Sequence, residues 1–282
     1  MKSILIATDL SARSDRAIER AARLASQHHA ELTVVHVVDE DLPTSIADAQ
    51  AAAARQAIEE HVQTLAAGEG PRIAVEVVFG SGSADILDMS EKTQAEMIVL
   101  GMHRKDALLD IFRGTTAERV VRTSTVPVLL VRERAGHPYG RIMVGVDFSV
   151  YSRRAVEFAA RLVPDGEFHL VHAYDVPFSA FIQGQDTRRE ISKRVAAQFQ
   201  EMVEKEMAAF LSTVEGKAVK FEQVMQQGVA HEVLHQQVAK LKPDLLVVGT
   251  HGKTGVARAV LGSMSEDLLR DPPCDVLAVN AW

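Results

Sequence analysis

The chain repeats itself once, and this limits its folding options more than any other feature. Residues 2–39 and residues 140–175 share one pattern. Each has an apolar run, then Asp-x-Ser-x-x-Ser, then Ala-x-x-x-Ala-Ala-Arg-Leu, then a second apolar run closing on His and Asp. Asp9 matches Asp147, Ser11 matches Ser149 and Ser14 matches Ser152. His36 matches His172, and Asp39 matches Asp175. The later parts match too: residues 97–131 run parallel to residues 245–279. A period of half the chain means two copies of one unit, not a solenoid. At about 100–200 residues per domain, 282 residues suit two domains. The expected domains are 1–135 and 141–282, joined across Arg132–Arg141 by a short connector containing Gly136, Pro138 and Gly140.

Each copy alternates strand-like and helix-like segments. In the first, strands are expected at Ile4–Ala7, Leu32–Val38, Ile73–Val78, Met97–Leu100 and Val126–Val131. Helical patterns fall near Ser14–Gln27, Ala47–Leu65, Ala84–Lys92 and Thr116–Arg122. In the second, strands are expected near Ile142–Val146, Phe168–Ala173, Val219–Met225, Leu245–Val248 and Val276–Val279. Its helices are expected near Ser152–Leu162, Arg188–Leu211, His231–Ala239 and Ser265–Leu269. Strands rich in Val, Ile and Leu, separated by helices, imply an α/β fold with a mostly parallel sheet covered on both faces. On the long helix, Val195, Phe199, Met202 and Met207 are expected to face the core.

Composition narrows the function. The 31 basic and 38 acidic residues leave a net charge of −7, which argues against a broad nucleic-acid or anionic-membrane footprint. Aromatics are 5% of the chain, too few for base-stacking platforms. The single cysteine, Cys274, allows no intrachain disulfide and fits a reducing compartment. No apolar stretch approaches the ~20 residues of a membrane span. A cytoplasmic protein is expected.

In an open doubly wound sheet, ligands bind beyond the carboxyl ends of the strands, where the strand order reverses. In the second copy, strand one ends at Asp147 and strand four at Gly249. The loop that follows contains Gly249, Gly252 and Gly255, where backbone can approach a ligand without a Cβ intervening. Gly262-Ser263 then opens a helix, whose free N–H groups and dipole favour an anion. Ser263 and Ser265 add hydroxyl donors. The spacing also suits a plain capping box, Ser263-x-x-Glu266. No P-loop motif is present.

Gly249-x-x-Gly252, nine residues (253–261), then Gly262-Ser263 resembles the nucleotide motif of the universal stress protein family. With the Asp-x-Ser after each first strand, the resemblance covers essentially the whole chain, in the tandem form with two domains. It implies two Rossmann-like domains, each an open five-stranded parallel sheet of order 3-2-1-4-5 with helices on both faces. It also implies ATP as ligand, with Mg as an optional companion. Gly145, Val146, Asp147 and Ala173 would then lie by the adenine. Gly249, Thr250, His251 and Gly252 would follow the ribose and phosphates, and Gly262, Ser263, Met264 and Ser265 would hold the distal phosphates. The family further implies a stress-response regulator acting on an unidentified protein partner. One chain would mimic the family's dimer, with Val126–Val131 facing Val276–Val279, and two such chains could pair again. The competing readings are a slow ATPase or phosphotransferase, and an interaction module that binds no nucleotide.

The first copy departs from the motif. It reads Gly101-Met-His-Arg104, nine residues (105–113), then Gly114-Thr115. Arg104 replaces a glycine, and Ala117 stands where the second copy has Ser265. Either this site is degenerate or Arg104 clamps phosphate by charge; the degenerate reading is adopted.

Residues 231–235 spell His-Glu-x-x-His, a zinc-peptidase signature on a helix. No third ligand is evident downstream, and zinc is not expected there. His36 and His172 recur at the end of strand two and are read as structural. No catalytic triad is legible, and Cys274 is expected to pack.

Overall fold

The computed structural model describes residues 1–65, 70–102, 115–175, 185–215, 219–250 and 272–280 of the chain, with only the backbone at 185–193, 195 and 196. The first repeat comprises β1 (Ser3–Ala7), α1 (Ala12–His28), β2 (Glu31–Asp39), α2 (Thr44–Leu65), β3 (Ile73–Gly80), α3 (Ser83–Lys92), β4 (Met97–Gly101), α4 (Thr116–Thr123) and β5 (Val128–Val131). The second comprises β6 (Arg141–Gly145), α5 (Val150–Leu162), β7 (Glu167–Tyr174), α6 (Gln185–Thr213), β8 (Phe221–Gln227), α7 (Ala230–Leu241), β9 (Leu245–Gly249) and β10 (Asp275–Val279). The helix expected at Ser265–Leu269 lies outside the described residues.

The strands form one ten-stranded sheet, in the order β3-β2-β1-β4-β5-β10-β9-β6-β7-β8. Each repeat therefore has the expected 3-2-1-4-5 order, and every pairing within a repeat is parallel. The repeats join where β5 and β10 pair antiparallel, with Leu129 opposite Leu277.

Successive strand residues face opposite sides of the sheet, and both sides are buried. Ile4, Ile6, Met97 and Val99 pack with α1 and α2, and the same layer continues under α5 and α6. Leu5, Ile98 and Leu100 pack with α3, α4 and α7 on the other side. This explains why the strands read as continuous apolar runs rather than alternating ones.

Three expectations need correction. On α6, Met202 is 46% exposed. The core stripe is Val203, Met207 and Phe210, continued by Val214 just past the helix. These follow the 3.6-residue period from Met207, whereas Met202 falls beside the stripe. Phe199 is half-buried, and the side chain of Val195 is outside the described residues. The strand expected from Val126 starts at Val128, because Pro127 has no N–H for the ladder and Val126 is turned by hydrogen bonds with Ser124. β8 runs Phe221–Gln227, two residues later than its apolar pattern suggests.

Candidate functional site

The order reversal in each repeat falls between its first and fourth strands. In the second repeat, Val144 of β6 pairs with Val247 of β9, which brings the carboxyl ends of these strands side by side. Asp147 and Gly249 thus border one crevice.

The Asp-x-Ser segment makes a tight turn in both repeats. Its middle residue is left-handed, with φ of 60° at Leu10 and 62° at Phe148. Asp147 Oδ1 accepts from the Ser149 N–H at 3.0 Å and from the Ser149 hydroxyl at 2.5 Å. Ser149 in turn caps α5, accepting from the Ser152 N–H at 3.2 Å. The turn that carries Asp147 is also the start of a helix.

His36 and His172 lock this turn to the second strand. His36 Nδ1–H donates to the carbonyl of Thr8 at 2.8 Å, and His172 Nδ1–H donates to that of Val146 at 2.7 Å. The Phe148 ring stacks on His172 with centroids 4.1 Å apart. This is the structural role expected from their recurrence.

The crevice of the first repeat holds a cavity of about 290 Å³. Its walls include Ala7, Thr8, Asp9, Val37, Gly101 and Thr116. These six match Gly145, Val146, Asp147, Ala173, Gly249 and Met264 of the second repeat. These six counterparts line one cavity in the first repeat, close to the small end of ligand-pocket sizes, whereas Met102 and Thr115, the described counterparts of Thr250 and Ser263, do not line it. In the second repeat the described candidates are Gly145, Val146, Asp147, Ala173, Gly249 and Thr250. His251, Gly252, Gly262, Ser263, Met264 and Ser265 lie outside the described residues.

Two of these residues have packing duties that the motif alone conceals. A Cβ on Gly249 would stand 3.2 Å from Tyr151, and one on Gly101 would stand 2.8 Å from the carbonyl oxygen of Arg13. At Gly101 the first turn of the neighbouring helix requires a glycine whether or not a ligand approaches, and at Gly249 a Cβ would fit only if that turn gave way by a few tenths of an ångström. Thr250 is 1% exposed. Its hydroxyl donates to the Asn280 side-chain oxygen, and its N–H donates to the Val279 carbonyl at 3.1 Å. Its side chain thus anchors the start of the loop in the seam between the repeats.

Asn280 continues that anchor. Its Nδ2 donates to the carbonyls of Val121 at 3.1 Å and Ser124 at 2.7 Å, at the end of α4 in the other repeat. The equivalent of Asn280 is Arg132, and the equivalent of Ser124 is Pro272. Arg132 donates to the carbonyl of Pro272, so each repeat grips the same point of the other.

The first repeat has a further distinction that sequence reading missed. Arg13 Nη2 donates to Asp9 Oδ2 at 3.0 Å, while Ser11 and Ser14 hydroxyls both donate to Oδ1. Burial alone would raise the Asp9 carboxyl, but the bonds from Ser11, Ser14 and Arg13 outweigh it and hold it well below the usual carboxylate range. Tyr151 occupies the position of Arg13 in the second repeat. The signal was present as a basic residue four positions after Asp9, on the first turn of a helix.

His231 and His235 are exposed neighbours on α7, with ring centroids 4.5 Å apart. Glu232 does not complete a three-ligand group with them. Cys274 is buried, and its thiol is pushed up to about 12 by burial and by Asp275.

The universal stress protein family model matches residues 1–132 and 138–280. The chain belongs to this family. The two matched segments cover both repeats, leaving the connector at 133–137 and the last two residues, so the tandem form of the universal stress proteins describes the chain. A universal stress protein of Mycolicibacterium smegmatis is 24% identical over 98% of this chain and 96% of its own length. One of Mycobacterium bovis is 28% identical over 93% of this chain and 94% of its own length. The crystal structure of a universal stress protein from Archaeoglobus fulgidus aligns with a TM-score of 0.69, at 22% identity, over 99% of this chain and 98% of that one. The last comparison shares the fold. Among the described residues, no helix is long and apolar enough to cross a membrane.

Proposed function

We propose that this universal stress protein binds ATP, chiefly in its second repeat, and acts as a nucleotide-dependent regulatory switch for a protein partner. In this reading, 1–135 and 141–282 are two domains, the first with a degenerate site, and the protein works in the cytoplasm. The observation that carries it is the convergence of strand-one and strand-four ends on a crevice that, in the first repeat, encloses a cavity lined by the counterparts of Gly145, Val146, Asp147, Ala173, Gly249 and Met264. The Gly249-x-x-Gly252 and Gly262-Ser263 motif is intact only in the second repeat.

Gly145, Val146, Asp147 and Ala173 would take the adenosine end. Backbone N–H groups of His251 and Gly252 and of Gly262 to Ser265 would take the phosphates, with Gly249 and Thr250 beneath the ribose and phosphates and the Thr250 N–H held by Val279; this suits a chain with net charge −7 that needs local donors for a polyanion. In the first repeat, Arg104 stands in place of the glycine and Arg13 already occupies the Asp9 carboxylate.

The switch reading is supported by the anchor at Thr250. The loop expected to close on phosphate begins at a residue tied through Asn280 to α4 of the other repeat. A nucleotide that favours one loop arrangement would bias that seam by its differential affinity for the two states.

Calorimetric titration with ATP tests the assignment. Asp147→Asn is expected to weaken ATP at least tenfold, and Asp9→Asn to leave it unchanged. ATP binding that is lost in Asp9→Asn and kept in Asp147→Asn would reject the second repeat as the main site.

A further inference from the structure

The second repeat carries a side-chain cluster that the first lacks, at the end of the sheet away from the crevice. Glu167 and His169 lie on β7, and Glu222 sits on the outermost strand β8, directly across from His169. The equivalent positions in the first repeat are Glu31, Thr33 and Ala74, with Thr33 across from Ala74. Among the described residues, Glu167, His169 and Glu222 form the one group of three or more His, Cys, Asp or Glu side chains that could hold a metal ion together.

The His169 side chain is only 4% exposed, and its two ring nitrogens are treated differently. Nε2 lies 3.1 Å from Glu167 Oε1 in hydrogen-bonding geometry. The other Glu167 oxygen is held by Arg141 Nε at 3.3 Å, so this carboxylate is fixed from both sides. Nδ1 lies 3.0 Å from Glu222 Oε2, yet it makes no hydrogen bond. In its neutral form, a ring that donates from Nε2 turns a lone pair out at Nδ1. A buried lone pair close to a carboxylate oxygen, with no proton in line between them, is an unfavourable pairing.

A shared cation relieves it. Across a tetrahedral zinc, with ligand bonds of about 2.0–2.1 Å, nitrogen and oxygen ligands stand about 3.3 Å apart. The Nδ1 to Oε2 separation is already close to this. A metal-bound histidine commonly donates its other N–H to a carboxylate, which orients the ring, and Glu167 occupies that place. Imidazole with carboxylate is a donor set suited to zinc.

We propose that His169 Nδ1 and Glu222 form a binding site for a divalent cation of the zinc class, with Glu167 as the positioning residue. Water completes the coordination on the exposed side of Glu222. The bound ion ties the edge strand β8 to β7. This site is independent of the nucleotide reading and separate from the His231 and His235 pair.

The test is calorimetric titration of metal-stripped full-length protein with zinc chloride, with thermal unfolding in the presence and absence of zinc. Wild type is expected to take one zinc per chain at this site and to gain thermal stability from it. Glu222→Gln, on an exposed side chain, is expected to weaken zinc at least tenfold and remove the gain. His169→Gln is expected to abolish the site, and Glu167→Gln to weaken it by about 10–100-fold. The His231→Ala/His235→Ala double variant is expected to keep it. The proposal is overturned if wild type binds no zinc, if Glu222→Gln binds as wild type does, or if the double variant loses the site.

Discussion

Leu129 and Leu277 are equivalent residues of the two repeats, and they lie directly opposite one another where β5 and β10 pair. Val276 faces Leu130 and Ala278 faces Val128, so the pairing is symmetric about the two leucines. Antiparallel pairing of the same strand from two copies generates a local twofold, and this one is closed within a single chain. Both leucines are 0% exposed and share one core cluster.

Substituting either leucine with Ala is therefore expected to cost about 2–5 kcal/mol, as for other buried leucines. Because the two face each other, the costs should not add. A double-mutant cycle in urea is expected to give a coupling of about 0.5–3 kcal/mol. Strict additivity would mean that the two repeats do not meet at this point in solution.

A buried ionic cluster clamps the same seam. Asp275 is 1% exposed, and its Oδ2 accepts from the Tyr139 hydroxyl at 2.6 Å and lies 3.4 Å from Arg20 Nε. Its Oδ1 takes the N–H groups of Arg132 and Glu133 at 2.8 and 2.9 Å. Asp275→Ala leaves the Arg20 charge buried without its partner, and a loss of about 3–5 kcal/mol is expected. Tyr139→Phe removes one bond and should cost less, about 1–3 kcal/mol. Denaturant unfolding ranks the two, and the opposite order would contradict the clamp.

Cys274 neighbours this cluster, and burial with Asp275 raises its thiol to about 12. The reactive thiolate is thereby suppressed. Native protein at pH 8 is expected to resist a disulfide reagent and to react promptly once unfolded. Rapid labelling of the native protein would show that the end of β9 and β10 is open to solvent.

The Asp9 carboxyl is held low in the folded protein by Ser11, Ser14 and Arg13. Its contribution to stability is present above the unfolded value, about 3.9, and is lost as pH falls through the folded value. Asp9→Asn is therefore expected to destabilise the protein at pH 7, with the deficit shrinking in acid. Asp9 is more than half exposed, so added salt should reduce the effect. A deficit independent of pH would mean that the carboxylate charge is not what holds the turn.

The internal repeat made most of the fold legible. Two copies of one alternating pattern give two mostly parallel α/β units, while the 3-2-1-4-5 order and the seam between the last strands were legible only through the resemblance to the universal stress proteins. The turn at Asp147 and the strand-end histidines were legible because they recur at matching positions. Side chains that meet across the repeats were not. Asn280 reaches Ser124, and Arg20 reaches Asp275, over separations that no local pattern encodes. His169 and Glu222 escaped notice for the same reason: each is an ordinary polar residue until strand pairing sets one beside the other. Met202 shows the limit of periodicity, since one residue separates an exposed position from the buried stripe at Val203.

The most direct test of the central claim is the nucleotide content of the purified and then denatured protein, compared with the Gly252→Val/Ser263→Ala variant. About one ATP per chain in wild type and none in the variant is the predicted result. Two per chain would contradict the inequality of the repeats, and no nucleotide, together with no binding of added ATP, would contradict the switch.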